Sequence, residues 1–375
     1  MIYLDHAATA PVPLEVAEEM YTILREHYGN PSSQYASGLD MKKRLEGWRQ
    51  TIASAMGCPP ERLFFTSCGT EGDNWAIRAA LWQNRHLGRH ILTTAVEHSA
   101  VLECCKWLAQ DGYEITCLQP DGNGNISTQQ VLEAVRPDTA LVSIMLVNNE
   151  IGTIYPVGEI ARGLAARNPK TLLHTDAVQG FLTFSAKALG ADFITVSGHK
   201  IGAPKGVGAL YISPRVRNPR PLLPGGGQES GLRSGTEATA QIAGFAKAVE
   251  LRMKTLHEDQ ARLGRLKAYA IDRLASIPDL QPVGNSGAAH ILSVSLAGWP
   301  SQNIVNDLSA QGICISAGSA CHQGKPSHVI KALNLPKRVA SSVIRLSFGP
   351  STTEAEINAC AAALRNHRDN RMPML

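Results

Sequence analysis

The first residues of chemical interest are a lysine and an aspartate that each follow a predicted strand. Lys200 ends the segment 197–200 (SGHK), directly after an apolar run at 193–196. A lysine there can form a Schiff base if its pKa is lowered, although most loop lysines are simply exposed. Asp176 ends the apolar run before it, either as a helix N-cap or as an acid facing a ligand crevice. Together they predict a pyridoxal phosphate site, which needs a Schiff-base lysine and an acid at the pyridinium nitrogen.

Two strand-to-helix junctions carry further candidates. Residues 66–71 (TSCGTE) enter a predicted helix through small side chains, and the N–H groups at its start, with the Thr70 hydroxyl, could bind an anion. The alternative is an ordinary Ser/Thr cap with an acidic first turn. His98 lies at the next junction, where an imidazole can stack on a flat cofactor and move protons, or merely cap the helix or face solvent. Asn149 follows the strongest predicted strand, as a turn former or a ligand-binding group.

One of the eight cysteines lies in a different setting from the rest. Cys321 is surrounded by small residues in 316–322 (SAGSACH), where neighbouring His322 and Lys325 would favour a nucleophilic thiolate. It could instead be a buried small residue, or a metal ligand together with Cys314, His322 and His328. That spacing matches no common zinc template, and we expect no metal. The sequence has no CxxC pair, so we expect the remaining cysteines to be reduced and inert.

A sheet must bring these strand ends together. Apolar β-branched runs alternate with amphipathic stretches, which is typical of an α/β fold with a mostly parallel sheet covered by helices. Ligands bind such sheets in loops at the carboxyl ends of strands. The predicted strands lie at 63–66, 90–93, 114–118, 140–146, 171–174, 193–196, 207–212 and 291–296. The predicted helices lie at 71–85, 100–110, 128–135, 157–167, 238–277, 302–311 and 354–368. Between them, the Pro- and Gly-rich stretch 214–229 predicts a long loop.

Composition limits the possible classes of protein. The chain has 375 residues, of which 44% are hydrophobic and 18% charged, as expected for a globular protein of two or three domains. We predict a large cofactor-binding domain over 14–255 and a small C-terminal α/β domain over 256–375, and we expect residues 1–13 to belong to the small domain. The net charge of +4 is scattered, so direct nucleic-acid binding is not expected. No apolar run is long enough to cross a membrane and no secretory signal is seen, which predicts a cytoplasmic protein.

Eight motifs, in order along the chain, resemble those of the cysteine desulfurases of the NifS/IscS type. They are residues 3–9 (YLDHAAT), 29–33 (GNPSS), 65–71 (FTSCGTE), 148–152 (NNEIG), 197–200 (SGHK), 233–236 (RSGT), 318–321 (GSAC) and 344–347 (IRLS). The resemblance implies the fold of the fold-type I pyridoxal phosphate-dependent transferases, with a mostly parallel seven-stranded sheet in the large domain. It also implies a homodimer whose active sites lie near the subunit interface.

The same resemblance implies a role for each candidate residue. Lys200 would hold pyridoxal 5'-phosphate as an internal aldimine, and Cys321 would be the nucleophile. Asp176 would pair with the pyridine nitrogen, Gln179 would bond the ring hydroxyl, and His98 would stack on the ring. The implied phosphate ligands are Gly69, Thr70, Ser197, His199 and, from the partner subunit, Thr236. The implied ligands of the substrate carboxylate are Asn149 and Arg345.

The implied reaction converts L-cysteine to L-alanine and leaves the sulfur on Cys321 as a persulfide. Lys200 would remove the Cα proton, and His98 would shuttle protons. The sulfur would pass to a protein acceptor, in an iron–sulfur cluster, tRNA-thiolation or DNA-modification pathway. The segment between Cys321 and Ser327 has five residues, fewer than in many members of the family, which would limit the reach of Cys321 towards a protein. A selenocysteine lyase is the nearest alternative, and a non-catalytic scaffold on the same fold is an alternative of another class.

Overall fold

Strands and helices alternate along most of the chain, in a computed structural model that describes residues 1–317 and 327–374. The strands are β1 (Ile2–Tyr3), β2 (Leu63–Thr66), β3 (His90–Thr94), β4 (Glu114–Leu118), β5 (Thr139–Ser143), β6 (Leu172–Asp176), β7 (Phe193–Ser197), β8 (Gly208–Ile212), β9 (Leu280–Pro282), β10 (Ile291–Leu296), β11 (Ile313–Cys314) and β12 (Val343–Ser347). The α-helices are α1 (Leu14–Glu26), α2 (Ala36–Met56), α3 (Gly69–Gln83), α4 (Ser99–Gln110), α5 (Thr128–Ala134), α6 (Val157–Arg167), α7 (Ala186–Leu189), α8 (Thr239–Ala275), α9 (Ser301–Ala310), α10 (His328–Ala332), α11 (Lys337–Ala340) and α12 (Glu354–Asn370).

A seven-stranded sheet forms the centre of the larger part of the molecule. Its strand order is β2-β8-β7-β6-β5-β3-β4, and only β8 runs antiparallel to its neighbours. The mostly parallel sheet predicted from the sequence is therefore confirmed. Its register pairs Asp176 on β6 with Thr195 on β7, two residues before Ser197. The carboxyl ends of β6 and β7, with their polar residues, consequently lie side by side.

The strand predicted over 140–146 is shorter than expected. It ends at Ser143, because the Met145 N–H turns to the buried Glu97 carboxylate, donating to its two oxygens at 3.1 and 2.9 Å. The chain keeps its contact with β6, since the Leu146 N–H donates to the Asp176 carbonyl at 2.8 Å. Residues 148–152 therefore leave the sheet directly above the end of β6.

A smaller antiparallel sheet, in the order β12-β10-β9, carries the second hydrophobic core. The N-terminal segment belongs with this core, since β1 pairs with β11 and Leu4 is fully buried in it. Helix α8 runs without a break through the predicted domain boundary at 255/256, burying Phe245 in the larger core and Leu266 in the smaller one. The domain limits themselves stay a prediction. Across the described residues, no helix combines the length and apolarity that crossing a membrane requires.

Candidate active site

Lys200 lies just beyond the carboxyl end of β7, in a 3-10 turn over Gly198–Lys200. Its Nζ donates to the carbonyl oxygens of Ala7 and Ala8, at 2.7 and 2.9 Å. Burial, and next the positive charge of Arg345, lower the pKa of Lys200 to about 8. A substantial fraction of the amine is therefore neutral near pH 8, as a nucleophile or a base must be.

Asp176 ends β6 as a buried carboxylate. Its Oδ1 accepts the Val178 N–H at 2.9 Å within a turn, so it does not cap a helix. Side-chain ligand atoms of Asp176, Asp73 and His98 all lie within 4.8 Å of one another. Burial and the neighbouring Asp73 carboxylate raise the pKa of Asp176. The cluster therefore favours a cationic or hydrogen-bond-donating group beside Asp176.

His98 both caps a helix and faces this cluster. It is the N-cap of α4, and its Nδ1 accepts the Ala100 N–H at 3.1 Å. The neutral ring therefore carries its proton on Nε2. The ring is exposed, unlike Asp176 and Asp73. Capping fixes its orientation and leaves the protonated nitrogen available to a ligand.

The start of α3 lies against the end of β7. A Cβ placed on Gly69 would be 2.9 Å from Val178 Cγ2 and 3.8 Å from Ser197 Cβ, so a glycine permits this close approach. The N-cap residue Cys68 makes no side-chain cap hydrogen bond, and Thr70 in the first turn is exposed. The N–H groups of this turn are thus available to an anion, which the helix dipole also favours.

Two more predicted cofactor ligands lie next to Lys200. Gln179 Nε2 donates to the Ala7 carbonyl at 2.8 Å, the oxygen that also accepts from Lys200. His199 Nδ1 lies 3.2 Å from Thr9 Oγ1, and burial lowers the pKa of His199 to about 4, so its ring is neutral at physiological pH. Both side chains therefore contact the N-terminal segment as well as the end of the central sheet.

Arg345 reaches the site from the smaller sheet. Its Nη2 donates to Asp5 Oδ1 at 2.7 Å and its Nη1 donates to the Asn149 carbonyl at 2.6 Å. The side chain is 4% exposed, and its Nε has no hydrogen-bond partner among the described residues. A buried guanidinium with an unused donor is suited to a carboxylate. Asn149 is brought to the same place, where it contributes a backbone carbonyl.

Thr236 is exposed on a loop that two ion pairs fix to helices α3 and α2. Arg233 donates to Glu71 Oε1 in the first turn of α3 at 2.8 Å. Glu229 accepts two hydrogen bonds from Arg49, at 2.8 and 2.7 Å, with both side chains almost fully buried. These bonds hold the loop beside the first turn of α3.

Cys321 lies outside the described residues, as do His322 and Lys325. The metal-site alternative that includes Cys321 and His322 lies outside them for the same reason. Within the described part of the chain, a cavity of about 580 Å³ opens on Lys200 and Gln179. That size lies within the usual range for small-molecule sites, roughly 300–1,000 Å³.

Sequence reasoning missed three residues that the fold brings to this site. The Ala7 carbonyl orients Lys200, and no pattern announces a backbone group. Asp5 lies in the motif at residues 3–9, which by itself indicates no role for it. Asp73 is 1% exposed, although polar residues precede and follow it in α3 and the sequence there does not indicate a buried carboxyl. Its spacing does indicate its place, because Asp73 follows Gly69 by four residues and therefore lies on the same face of the helix.

Comparison with known proteins identifies related sequences and structures. The chain matches the family described as aminotransferase class-V over residues 2–360. It is 40% identical to cysteine desulfurase IscS of Methanosarcina thermophila over 363 residues, covering 95% of this chain and 89% of that protein. A solved NifS-like protein superposes with a TM-score of 0.91 at 36% identity, covering 97% of this chain and 98% of the other. A structure of SspA in complex with cysteine gives a TM-score of 0.79 at 30% identity, covering 94% and 100%.

Proposed function

This chain belongs to the aminotransferase class-V family and is a sulfur-transferring cysteine desulfurase, and on that premise we propose that it converts L-cysteine to L-alanine and passes the sulfur to Cys321 as a persulfide. The observation that carries the proposal is the convergence of the Lys200 amine, the Asp176 carboxylate and the His98 ring at the ends of β6 and β7. The role of Cys321 rests on its motif.

The proposed cofactor is pyridoxal 5'-phosphate, and three features of the site fit it. Lys200 has a lowered pKa, Asp176 is a buried acid, and Gly69 opens an anion-binding helix start. When bound, the cofactor supplies a protonated ring that accepts electron density from the substrate Cα. The residues proposed to hold it are Lys200, Asp176, Gln179, His98, Gly69, Thr70, Ser197, His199 and, from the partner subunit of a homodimer, Thr236.

The chain's own residues account for substrate binding and proton transfer. Arg345 and Asn149 bind the substrate carboxylate, which meets the unused Nε donor of Arg345. The neutral Lys200 amine removes the Cα proton, and its lowered pKa makes this form available near neutral pH. His98, which carries its proton on Nε2, returns protons to the product.

Sulfur transfer follows as an attack by the Cys321 thiolate on the substrate sulfur. The new S–S bond forms as the substrate C–S bond breaks, and the electron pair of that bond stays on carbon, which takes a proton and becomes alanine. Cys321 is left as a persulfide. A protein acceptor then removes the outer sulfur; the chemistry is the same for a cluster scaffold, a tRNA-thiolation enzyme or a DNA-modification protein.

The test compares Cys321→Ser with the matched control Cys314→Ser in the purified protein. Cys321→Ser should keep the cofactor absorbance and its change on adding L-cysteine, yet lose by orders of magnitude both alanine production and the sulfide that an added thiol reductant releases from the persulfide. Cys314→Ser should retain the cofactor absorbance, its change on adding L-cysteine, and the production of alanine and sulfide. Mass spectrometry of the wild type after one turnover should find the additional sulfur on the peptide that contains Cys321.

Four results would count against this assignment. Alanine production at the wild-type rate by Cys321→Ser, or sulfur on another peptide, would show that Cys321 is not the acceptor. Turnover of selenocysteine with strong discrimination against cysteine would indicate the lyase. A protein that binds no pyridoxal phosphate and turns over neither substrate would indicate the scaffold.

A further inference from the structure

A groove of about 690 Å³ lies between α3, α4 and the loop that follows β8. It contains three of the chain's five tryptophans, Trp75, Trp82 and Trp107, and we call it the tryptophan groove. Trp82 is 42% exposed and Trp107 is 50% exposed. Large aromatic side chains exposed together in one concave surface are typical of interaction sites rather than of ordinary surface.

Arginine side chains stack on these indole rings. The Arg85 and Arg220 guanidinium carbons lie 4.6 and 4.5 Å from the centre of the Trp82 ring. The Arg78 guanidinium lies 4.9 Å from the centre of the Trp107 ring. Stacking leaves the N–H edges of a guanidinium available for hydrogen bonds to carboxylates.

None of Arg78, Arg85 and Arg220 lies within 4.0 Å of a carboxylate in the described part of the chain. Asp111 is the single acidic side chain that the described residues contribute to the wall of the groove. Some arginines elsewhere, such as Arg136 and Arg233, are paired with acids, whereas these three have no such pair among the described residues. The tryptophan groove therefore offers positive charge that the protein does not neutralise itself.

We propose that the tryptophan groove docks a protein partner through a segment in which carboxylates flank an apolar side chain. Arg85 Nη1 donates to the Trp82 carbonyl at 2.7 Å, which leaves its other N–H groups for the carboxylates. An apolar wall that includes Leu81, Leu108 and Leu222 receives the side chain between them. Trp, Tyr and Arg are the residue types that dominate binding energy at protein interfaces. A second copy of this chain is a poorer match, because its net charge is +4.

A nucleic acid is the other polyanion to consider. Single strands bind in grooves whose positive charge follows the backbone over several nucleotides. Here the cations cluster at two indole rings, and leucines and prolines make up much of the remaining wall. A compact acidic and apolar protein segment therefore fits better than an extended strand.

The groove lies away from the proposed active site. Trp82 is thirteen residues along α3 from Gly69, which at the rise of an α-helix is about 20 Å. A partner on the groove can thus bind without covering Lys200. The inference rests on the groove alone, and it survives or fails independently of the proposed sulfur chemistry.

The experiment selects short displayed peptides of random sequence on the full-length holoenzyme. Affinities of the enriched peptides are then measured by fluorescence anisotropy for the wild type and for Arg85→Glu/Arg220→Glu. The matched control is Arg25→Glu/Arg273→Glu, which reverses two other exposed arginines that lie 5.5 and 5.6 Å from tyrosine rings. Circular dichroism verifies that each variant is folded.

Acidic peptides with an apolar centre should be enriched, and the groove variant should weaken their binding by about 30-fold or more. The control variant should bind them as the wild type does, and desulfurase activity should be unchanged in both variants. The proposal is overturned if no enriched peptide distinguishes the groove variant from the wild type. It is also overturned if a labelled single-stranded oligonucleotide binds the groove more tightly than any peptide, or if the groove variant changes the oligomeric state.

Discussion

Arg345 and Asp5, 340 residues apart in the chain, form an ion pair in which Nη2 donates to Oδ1 at 2.7 Å. The pair joins β12 to the N-terminal segment, whose Ala7 and Ala8 carbonyls accept from Lys200. The proposed carboxylate ligand and the proposed catalytic amine are therefore fixed to one short stretch of backbone. Disturbing that stretch should affect substrate binding before it affects the rest of the fold.

The first prediction concerns Asp5. Asp5→Ala removes a charge-assisted hydrogen bond from Arg345, and such bonds contribute about 1.5–3 kcal/mol. The KM for L-cysteine should rise about tenfold or more, with a smaller change in kcat. Asp5→Asn keeps an acceptor oxygen and should have an intermediate effect. Steady-state kinetics at fixed pH measures both, and an unchanged KM in Asp5→Ala would show that Asp5 does not position Arg345.

The second prediction concerns the pH dependence of Lys200. Its pKa is lowered to about 8, so the neutral amine forms at a pH about 2.5 below that for an ordinary lysine. The rate at which cofactor-free protein covalently attaches added pyridoxal phosphate should rise with pH and reach its half-maximum near 8. Arg345→Met removes the cation that helps to lower this pKa, so its half-maximum should lie higher.

Arg338→Met, at an exposed position outside the site, is the matched control and should titrate as the wild type does. Stopped-flow absorbance across the pH range measures all three proteins. A wild-type half-maximum near 10 would contradict the lowered pKa.

The third prediction concerns the buried Asp73 carboxylate. Burial raises its pKa from 3.8 to about 7, so the folded protein binds a proton that the unfolded chain releases. The stabilisation that this bound proton gives the folded protein is therefore lost as pH rises from about 4 to about 7. Asp73→Asn keeps the shape without the charge, and at pH 8 it should stabilise cofactor-free protein by at most about 4 kcal/mol.

At pH 4 the two proteins should differ by less than about 1 kcal/mol, because the carboxyl is neutral in the folded protein and only about half ionised in the unfolded chain. Thermal unfolding at the two pH values gives the comparison, with the exposed Asp272→Asn as control. Lower stability of Asp73→Asn at pH 8 would mean that the carboxylate has a stabilising partner at this site.

The fourth prediction concerns the loop that carries Thr236. Glu229 accepts from Arg49 and from the Phe65 N–H at 2.8 Å, and its side chain is 3% exposed. Glu229→Ala leaves a buried guanidinium without its partner, which costs about 3–5 kcal/mol. Glu46 lies 3.4 Å from the same guanidinium but is 58% exposed, so Glu46→Ala should cost less than about 1 kcal/mol. Urea unfolding compares the two, and equal costs would refute the argument.

The sequence by itself was sufficient to predict the features that depend on neighbouring residues, namely the type of sheet and two residues of the candidate site. Alternation of apolar and amphipathic segments predicts the parallel sheet, because each segment's period follows from its own backbone geometry. Lys200 and Asp176 could be identified for a similar reason. Each follows an apolar strand, and parallel strands end at the same edge of a sheet, where ligands bind.

Only the tertiary structure decided which groups those residues meet. Lys200 donates to a carbonyl 193 positions away, and strand β5 ends early because a buried carboxylate from another loop takes the Met145 N–H. Asp73 becomes a buried neighbour of Asp176 only when α3 packs on the sheet. The stacking of Arg220 on Trp82 likewise joins a loop and a helix distant in sequence. The hydrophobic pattern of a helix or strand predicts which of its faces is buried. These contacts depend instead on how the helices and strands pack against one another.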